Sequence, residues 1–296
     1  MTDRELFEET YTKKYEELKS YFMQGIPAGI CIAYSGGVDS TLLLKAAVES
    51  VQTSADVRKS DADARKSTVD TIKPVLAIIL ETQLHPHSDT EQAYQTAKNL
   101  GAHPEIIRVD EFQNPDILKN PVNRCYLCKH MLFTKLKELA ASRGYYAVFD
   151  GTNKDDENEY RPGMKVLKEL QIKSPLLELG ITKSEVRTIS AMLGLSTASS
   201  PSTPCLATRL PYGAYLDRNL LSRIHQGETL LRSLGFYNVR LRYHEPVLRI
   251  EIDCDAFEQL TERRTAVVTE LKKLNFPYIT LDLEGFRSGS MDIGLH

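Results

Sequence analysis

Residues 28–49, AGICIAYSGGVDSTLLLKAAVE, join a short, mostly apolar run (Ala28 to Tyr34), a glycine turn (Ser35-Gly36-Gly37-Val38-Asp39-Ser40) and a helical stretch (Thr41 to Glu49). Strand, turn and helix in that order gather several backbone N–H groups, two serine hydroxyls and the positive end of a helix at one point. That geometry receives phosphate. Glycine belongs in such a turn because a Cβ would block both the bend and the close approach of backbone to anion. Asp39 follows the glycines, and a carboxylate beside a phosphate site serves to hold Mg²⁺.

The same alternation runs outward from this stretch. Strands are expected at Pro74 to Leu80, Glu105 to Val109 and Tyr145 to Phe149, with helices at Asp89 to Leu100 and Tyr126 to Ala141. Strands alternating with helices of this length imply an α/β fold, a parallel sheet with helices on both faces, whose ligands sit at the carboxyl ends of the strands. An amphipathic helix over 3–23 packs against it, and Thr182 to Leu193 resumes a helical pattern. Ser54 to Asp70 is polar and without periodicity, and reads as a flexible insertion without a catalytic role. From Asp217 the order becomes helix (Arg218 to Leu234), two strands (Val239 to Tyr243, Val247 to Asp253), helix (Ala256 to Leu274) and strand (Tyr278 to Leu283), a small α+β unit. The expected division is 1–205 for the first domain and 206–296 for the second.

Thirty-seven Lys and Arg against forty Asp and Glu give a net charge of −3, so nothing in the overall balance attracts a polyphosphate chain or an anionic membrane. The 217–296 stretch holds eleven basic and twelve acidic residues, which argues against nucleic acid and for a small molecule. No apolar stretch is long enough to span a bilayer, and the acidic N-terminus has no export pattern, so the expected location is the cytoplasm.

Five cysteines, at 31, 125, 128, 205 and 254, are an odd number and speak against a disulfide framework. Cys125 and Cys128 form Cys-x-x-Cys at a helix start, where thiolate is favoured. Cys205 lies in a proline-flanked loop and could close a three-thiolate site. Four readings stand side by side: a [4Fe-4S] cluster with one open iron, zinc with His130 as a fourth ligand, a dithiol couple, or ordinary cysteines. Cys31 and Cys254 lie in apolar strand patterns and are expected in the core.

Ser-Gly-Gly-x-Asp-Ser in this context resembles the pyrophosphate-loop (PP-loop) ATPases of the adenine nucleotide α-hydrolase-like superfamily. The resemblance implies that Ser35, Gly36, Gly37, Val38, Asp39 and Ser40 grip the β- and γ-phosphates of ATP while a substrate oxygen attacks the α-phosphate. The wider set is more specific: Asp150-Gly151-Thr152-Asn153-x-Asp155, Tyr160-Arg161-Pro162-Gly163, Cys205-Leu206-Ala207-Thr208-Arg209-x-Pro211-Tyr212-Gly213, Val239-Arg240-x-Arg242 and Gly285-Phe286-Arg287-x-Gly289. Together these resemble the LarE family, ATP-dependent sulfur transferases that mature the nickel-pincer nucleotide cofactor.

That likeness implies a pyridinium biscarboxylate mononucleotide as substrate, adenylation of a carboxylate with ATP and Mg²⁺ (Asp39 holding the metal), displacement of AMP by sulfur, and a homo-oligomer. Some members sacrifice a cysteine as sulfur source; others hold a [4Fe-4S] cluster on three cysteines, and Cys125, Cys128 and Cys205 are similar to the second kind. No sulfide donor is indicated. Arg209 is positioned in sequence to meet the adenylate or a substrate anion. Arg240 and Arg242 alternate along a strand and share a face, so they bind the substrate phosphate, with Arg287, or else lie solvated. Asp150 and Asp155 contact nucleotide or metal, or serve only to solvate a loop. The rival readings are a tRNA thiolase, which needs a basic surface, and a nitrogen-inserting synthetase with a structural zinc site.

Overall fold

The computed structural model describes residues 3–65, 72–85, 88–158, 163–200 and 204–287. In chain order its helices and strands are α1 (Asp3–Met23), β1 (Ile30–Ala33), α2 (Val38–Arg65), β2 (Leu76–Thr82), α3 (Ser88–Asn99), β3 (His103–Val109), α4 (Pro115–Leu118), α5 (Arg124–Ser142), β4 (Ala147–Phe149), α6 (Gly163–Glu169), α7 (Pro175–Glu178), α8 (Lys183–Met192), α9 (Arg218–Ser233), β5 (Val239–His244), β6 (Val247–Ile252), α10 (Phe257–Glu262), α11 (Arg264–Lys273) and β7 (Tyr278–Leu281). They form two compact units, one made of Met1–Thr82, His87–Val109 and Cys125–Ser202, the other of Gln83–Pro86, Asp110–Arg124 and Thr203–His296.

The first unit is a parallel sheet in the order β3-β2-β1-β4. Because side chains alternate along a strand, two apolar faces need two cores. Ile30, Ile32, Ala77 and Ile79 turn to one face, where they meet Leu18 and Phe22 of α1, Leu42 and Leu43 of α2, and Val186 and Ile189 of α8. Cys31, Leu76 and Ile78 turn to the other, against Leu136 and Ala140 of α5 and Val166 and Leu167 of α6. Each fully buried Leu or Ile contributes about 1.5–3 kcal/mol to this arrangement. Cys31 is in the core, as its strand position implies, and burial pushes its thiol pKa up.

The chain runs from β1 to β2 and β3 on one side, then returns so that β4 pairs with β1 on the other. The order therefore reverses between β1 and β4, and their carboxyl ends open a crevice. The turn after β1 and the segment Asp150–Asn153 after β4 both lie there.

The second unit is built on β5-β6-β7, with β5 and β6 antiparallel and β6 and β7 parallel. Two segments from early in the chain belong to it through hydrogen bonds made with later ones. Leu206 N–H donates to Leu84 C=O (2.8 Å), Gly213 N–H to Asn120 C=O (2.9 Å) and Leu216 N–H to Leu118 C=O (2.8 Å). The Asn120 amide nitrogen also donates to the Pro211 carbonyl (2.9 Å).

Three expectations change. Residues 54–65 are not a flexible insertion but the continuation of α2, which runs 28 residues. No Gly or Pro interrupts them, and once a helix is nucleated each added residue gains a hydrogen bond without needing an apolar stripe. Residues 66–70 of that expectation lie outside the described residues. The single helix expected at Ala256 to Leu274 is two, α10 and α11, broken at Arg263 (ψ 6°), whose guanidinium donates to the Leu234 carbonyl at the end of α9 (2.8 Å). Cys254 is exposed and not in the core: β6 ends at Ile252, and Cys254 opens a 3-10 turn. Among the described residues no helix is long and apolar enough to cross a membrane.

The second unit is held by a fully buried ion pair. Glu228 of α9 accepts Arg209 Nε (2.7 Å) and Nη2 (3.0 Å), Arg232 Nη2 (3.1 Å) and Leu241 N–H (3.0 Å). Burial pushes the Glu228 carboxyl up, but these donors outweigh it and hold the group below the usual carboxylate range. Truncating one partner of such a pair strands the other charge. Glu228→Ala is expected to cost about 3–5 kcal/mol, read from the urea midpoint. Because the folded pKa is depressed, this contribution is present above the ordinary Glu pKa of about 4.3 and is lost as pH falls through the folded value. The variant should therefore show a flatter stability profile in that acid window than the wild type.

Candidate functional site

The turn after β1 is cinched by its own serines. Ser35 and Ser40 hydroxyls lie 3.0 Å apart, Ser40 Oγ donates to Gly37 C=O (3.1 Å), and Gly37 N–H donates to Ser35 Oγ (3.3 Å). Gly36 has φ +75° and sits so close to α3 that a Cβ would meet the Ala93 Cβ at 2.9 Å. Both the left-handed backbone and the space demand glycine. The first backbone bond at the start of α2 is Thr41 N–H to Gly37 C=O (2.9 Å). The N–H groups of Val38, Asp39 and Ser40 precede it, at the positive end of a 28-residue helix.

The segment after β4 closes on this turn. Gly151 packs so tightly that a Cβ would lie 3.0 Å from Ser40 N and 3.3 Å from Asp39 Cβ. Asn153 Nδ2 donates to Asp39 Oδ1 (3.2 Å), and the other Asp39 oxygen is paired with the Lys183 ammonium. Lys183 is the first residue of α8, whose N-cap Thr182 forms a reciprocal capping box with Glu185. Asp155 Oδ2 accepts the Lys183 N–H (2.9 Å), so this aspartate fixes the backbone of the lysine that reaches Asp39. Asp150, buried at 5% exposure, accepts Ser174 Oγ at 2.5 Å and Thr152 Oγ1 at 2.6 Å, with Lys129 Nζ at 3.5 Å. The structure thus brings together Ser35 to Ser40, Asp150 and Asp155, and adds Asn153, Lys129 and Lys183 to them.

The cysteines are thiols. Cys125 and Cys128 occupy the first turn of α5 in the first unit, the former exposed and the latter half-buried against the core. His130 faces away from that pair, toward the Tyr126 ring (5.9 Å), since residues two or five apart point to different sides of a helix. Cys205 belongs to the second unit and precedes the short 3-10 turn Leu206–Arg209. Its carbonyl accepts the Thr208 hydroxyl (2.8 Å). Among the described residues no three metal-ligating side chains converge.

Arg209 spends its donors inside the second unit. Besides the two bonds to Glu228, its Nη1 reaches Thr208 Oγ1 (2.8 Å) and the carbonyls of Pro204 (3.4 Å) and Cys205 (3.5 Å), so it holds the turn that carries Cys205. Arg240 and Arg242 are both buried, not solvated. Arg242 donates to Glu251 Oε1 and to Thr208 C=O, each at 2.6 Å. Arg240 lies 4.5 Å over the Phe286 ring, and among the described residues no carboxylate lies within ion-pair distance of it. Burial, reinforced by Arg209 and Arg242, pushes the Arg240 pKa down to about 10, so it remains a cation at neutral pH. Arg287 is paired with Glu284 (2.7 Å) and lies 3.6 Å from Asp282. Tyr160, Arg161, Pro162 and Gly289 lie outside the described residues.

No family model matches the chain. It is 37% identical over 281 residues to an uncharacterised protein of Synechocystis, covering 94% of this chain and 97% of that one. It is 34% identical over 263 residues to the pyridinium-3,5-bisthiocarboxylic acid mononucleotide synthase of Lactiplantibacillus plantarum, covering 89% and 88%. The chain belongs to the LarE family. An uncharacterised protein of Methanocaldococcus jannaschii is 29% identical over 259 residues, 88% of this chain and 91% of that one. Among solved structures, the NMN synthetase of Francisella tularensis is similar at a TM-score of 0.48 and 15% identity, over 65% of this chain and 75% of that chain.

Two lysines of this LarE-family site escape a reading of spacing. Lys183 had a signal, since Thr182-Lys183-Ser184-Glu185 is a capping box and an N1 lysine faces its own helix dipole, which is unfavourable unless a carboxylate or phosphate offsets it. Lys129, one residue past the Cys-x-x-Cys, had none. If the loop is an anion site pressed into shape by the β4 segment, Gly151→Ala should displace backbone at Ser40. Affinity for inorganic pyrophosphate, measured by calorimetry, is expected to fall at least tenfold while the thermal midpoint stays within a few degrees of wild type.

Proposed function

We propose that this chain activates a carboxylate of a pyridinium dicarboxylate mononucleotide with ATP and replaces the activated oxygen by sulfur, leaving a thiocarboxylate. The observation that carries this reading is the phosphate-receiving turn at the β1/β4 reversal, with Asp39 and Lys183 beside it, in a chain 34% identical to a synthase named for a bisthiocarboxylic acid mononucleotide.

In this scheme the N–H groups of Val38, Asp39 and Ser40 and the Ser35 and Ser40 hydroxyls take the β- and γ-phosphates. Asp39 would hold Mg²⁺, with Lys183 passing from the carboxylate to a phosphate oxygen. A substrate carboxylate oxygen attacks the α-phosphorus, and the bond to the β-phosphate oxygen breaks, so pyrophosphate leaves with the electron pair. The acyl adenylate then meets a sulfur nucleophile at its acyl carbon, and AMP departs with the carbon–oxygen bond electrons. Asp150 and Asp155 serve by holding Lys129 and Lys183 in place.

Arg240, Arg242 and Arg287 bind the substrate's phosphate. Support is strongest for Arg240, a buried guanidinium stacked on Phe286 with no carboxylate beside it among the described residues. Arg209 acts through Cys205, whose turn it holds.

Cys125, Cys128 and Cys205 fit an iron–sulfur site by their chemistry: soft thiols, two of them one helix turn apart, with His130 on another side of α5. A [4Fe-4S] cluster on these three would supply a sulfide on its iron that lacks a cysteine.

Two experiments test the reading. With ATP, Mg²⁺ and pyridinium-3,5-biscarboxylic acid mononucleotide, Asp39→Ala is expected to release pyrophosphate at least 100-fold more slowly than wild type at an unchanged thermal midpoint; equal release would remove Asp39 from the mechanism. Anaerobically purified protein is expected to carry about four irons per chain, lost in each of Cys125→Ala, Cys128→Ala and Cys205→Ala. Stoichiometric zinc, or no iron, would exclude the cluster.

A further inference from the structure

Lys129 is a cation whose stem is fixed and whose head is underused. The stem passes through the space left by a missing side chain: a Cβ on Gly163 would lie 2.9 Å from Lys129 Cδ and 3.7 Å from its Cβ. Its ammonium lies 5.2 Å from the centroid of the Phe133 ring, one turn further along α5. The only anion beside it among the described residues is Asp150, at 3.5 Å, beyond an ordinary charge-assisted hydrogen bond.

That carboxylate is already committed to the closer hydroxyls of Ser174 and Thr152, one on each oxygen. Asp150 therefore holds the Lys129 ammonium in place without consuming its three donors. The side chain is only 27% exposed, so the positive charge is partly shielded from water.

The position of this head is what gives it meaning. Asp150 directly follows β4, and the next residue, Gly151, presses on Ser40 N at the start of α2. Through Asp150 the ammonium is thus tied to the segment after β4 that packs against the start of α2 at the carboxyl ends of β1 and β4. Lys183 differs in being bonded directly to Asp39.

From this geometry we infer that Lys129 is a catalytic residue of the adenylation step, donating to a non-bridging oxygen of the α-phosphate. The inference rests on the adenylation reading above and assigns within it the group that meets the reacting phosphorus. As the carboxylate–phosphorus bond forms and the bond to the pyrophosphate oxygen breaks, negative charge grows on the α-phosphoryl oxygens. A preorganised cation there lowers the barrier because the charge it faces is larger in the transition state than in bound ATP. Lys129 keeps its proton throughout, and stays on the same phosphoryl group when AMP leaves.

The test measures ATP affinity by calorimetry and substrate-dependent pyrophosphate release for wild type, Lys129→Met, Lys129→Arg and Lys129→Ala. Methionine keeps the packing beside Gly163 and Phe133 and removes the charge. Lys129→Met is expected to bind ATP within threefold of wild type but release pyrophosphate at least 100-fold more slowly, with Lys129→Arg in between. Propylammonium should restore release to Lys129→Ala in a saturable way, which a merely structural role would not allow.

Gly163→Ala, which pushes on the stem without removing the charge, should also slow release and keep ATP affinity. Release by Lys129→Met within threefold of wild type overturns the inference, as does loss in every variant without rescue by arginine or amine. Absence of substrate-dependent pyrophosphate release in the wild type would instead overturn the adenylation reading itself.

Discussion

Three backbone N–H groups at the start of α2 precede the first hydrogen bond of that helix, and they point into the place where the sheet order reverses. A helix end of this kind needs an anion, a cap or water. Here the surroundings leave that end open and hold the turn in one shape. Gly36 leaves room for α3, Gly151 lets the segment after β4 touch Ser40, and the serines tie the turn to itself. Each depends on β1 and β4 lying side by side, which in turn depends on two buried faces that only a parallel sheet with helices on both sides can satisfy.

The second unit solves a different electrostatic problem. Arg209, Arg240 and Arg242 are all buried in it, together with Glu228 and Glu251. Arg209 and Arg242 each have their own carboxylate, so the surplus positive charge falls on Arg240, which has an aromatic face under it and mutually repelling cations around it. A surplus of this kind in a protein interior is costly unless an opposite charge offsets it. The neighbouring pairs do structural work: the Arg209–Glu228 pair orders the turn carrying Cys205, and Arg242 ties that turn to β5 through the Thr208 carbonyl.

Local pattern carried much of this in the sequence. Residues 28–49 announced strand, turn and helix, the alternation of apolar runs and helical stretches announced the parallel sheet, and Cys31 between two isoleucines announced its own burial. What the pattern lacked was long-range pairing. Lys183 reaches Asp39 across 144 positions, and Arg209 finds Glu228 nineteen residues on, in a helix whose apolar stripe gives no hint of a buried carboxylate. Residues 54–65 looked irregular because periodicity reports which side a helix buries, not whether it exists; the helix propagated through them regardless. Cys254 was misplaced by two residues' worth of strand, enough to move a thiol from interior to surface.

The pairing of Asp39 with Lys183 means that the crevice supplies its own counter-ions. A bare helix end lined with cations would collect any small phosphate or sulfate in its surroundings, and a bare aspartate would repel the ligand it is meant to serve. With the two locked together, loading under the proposed function would be an exchange of partners, the lysine passing to the incoming polyphosphate and the aspartate to its divalent metal. The pair adds no net charge of its own to the helix end, so what favours an anion there is the unpaired N–H groups rather than a surplus of side-chain cations.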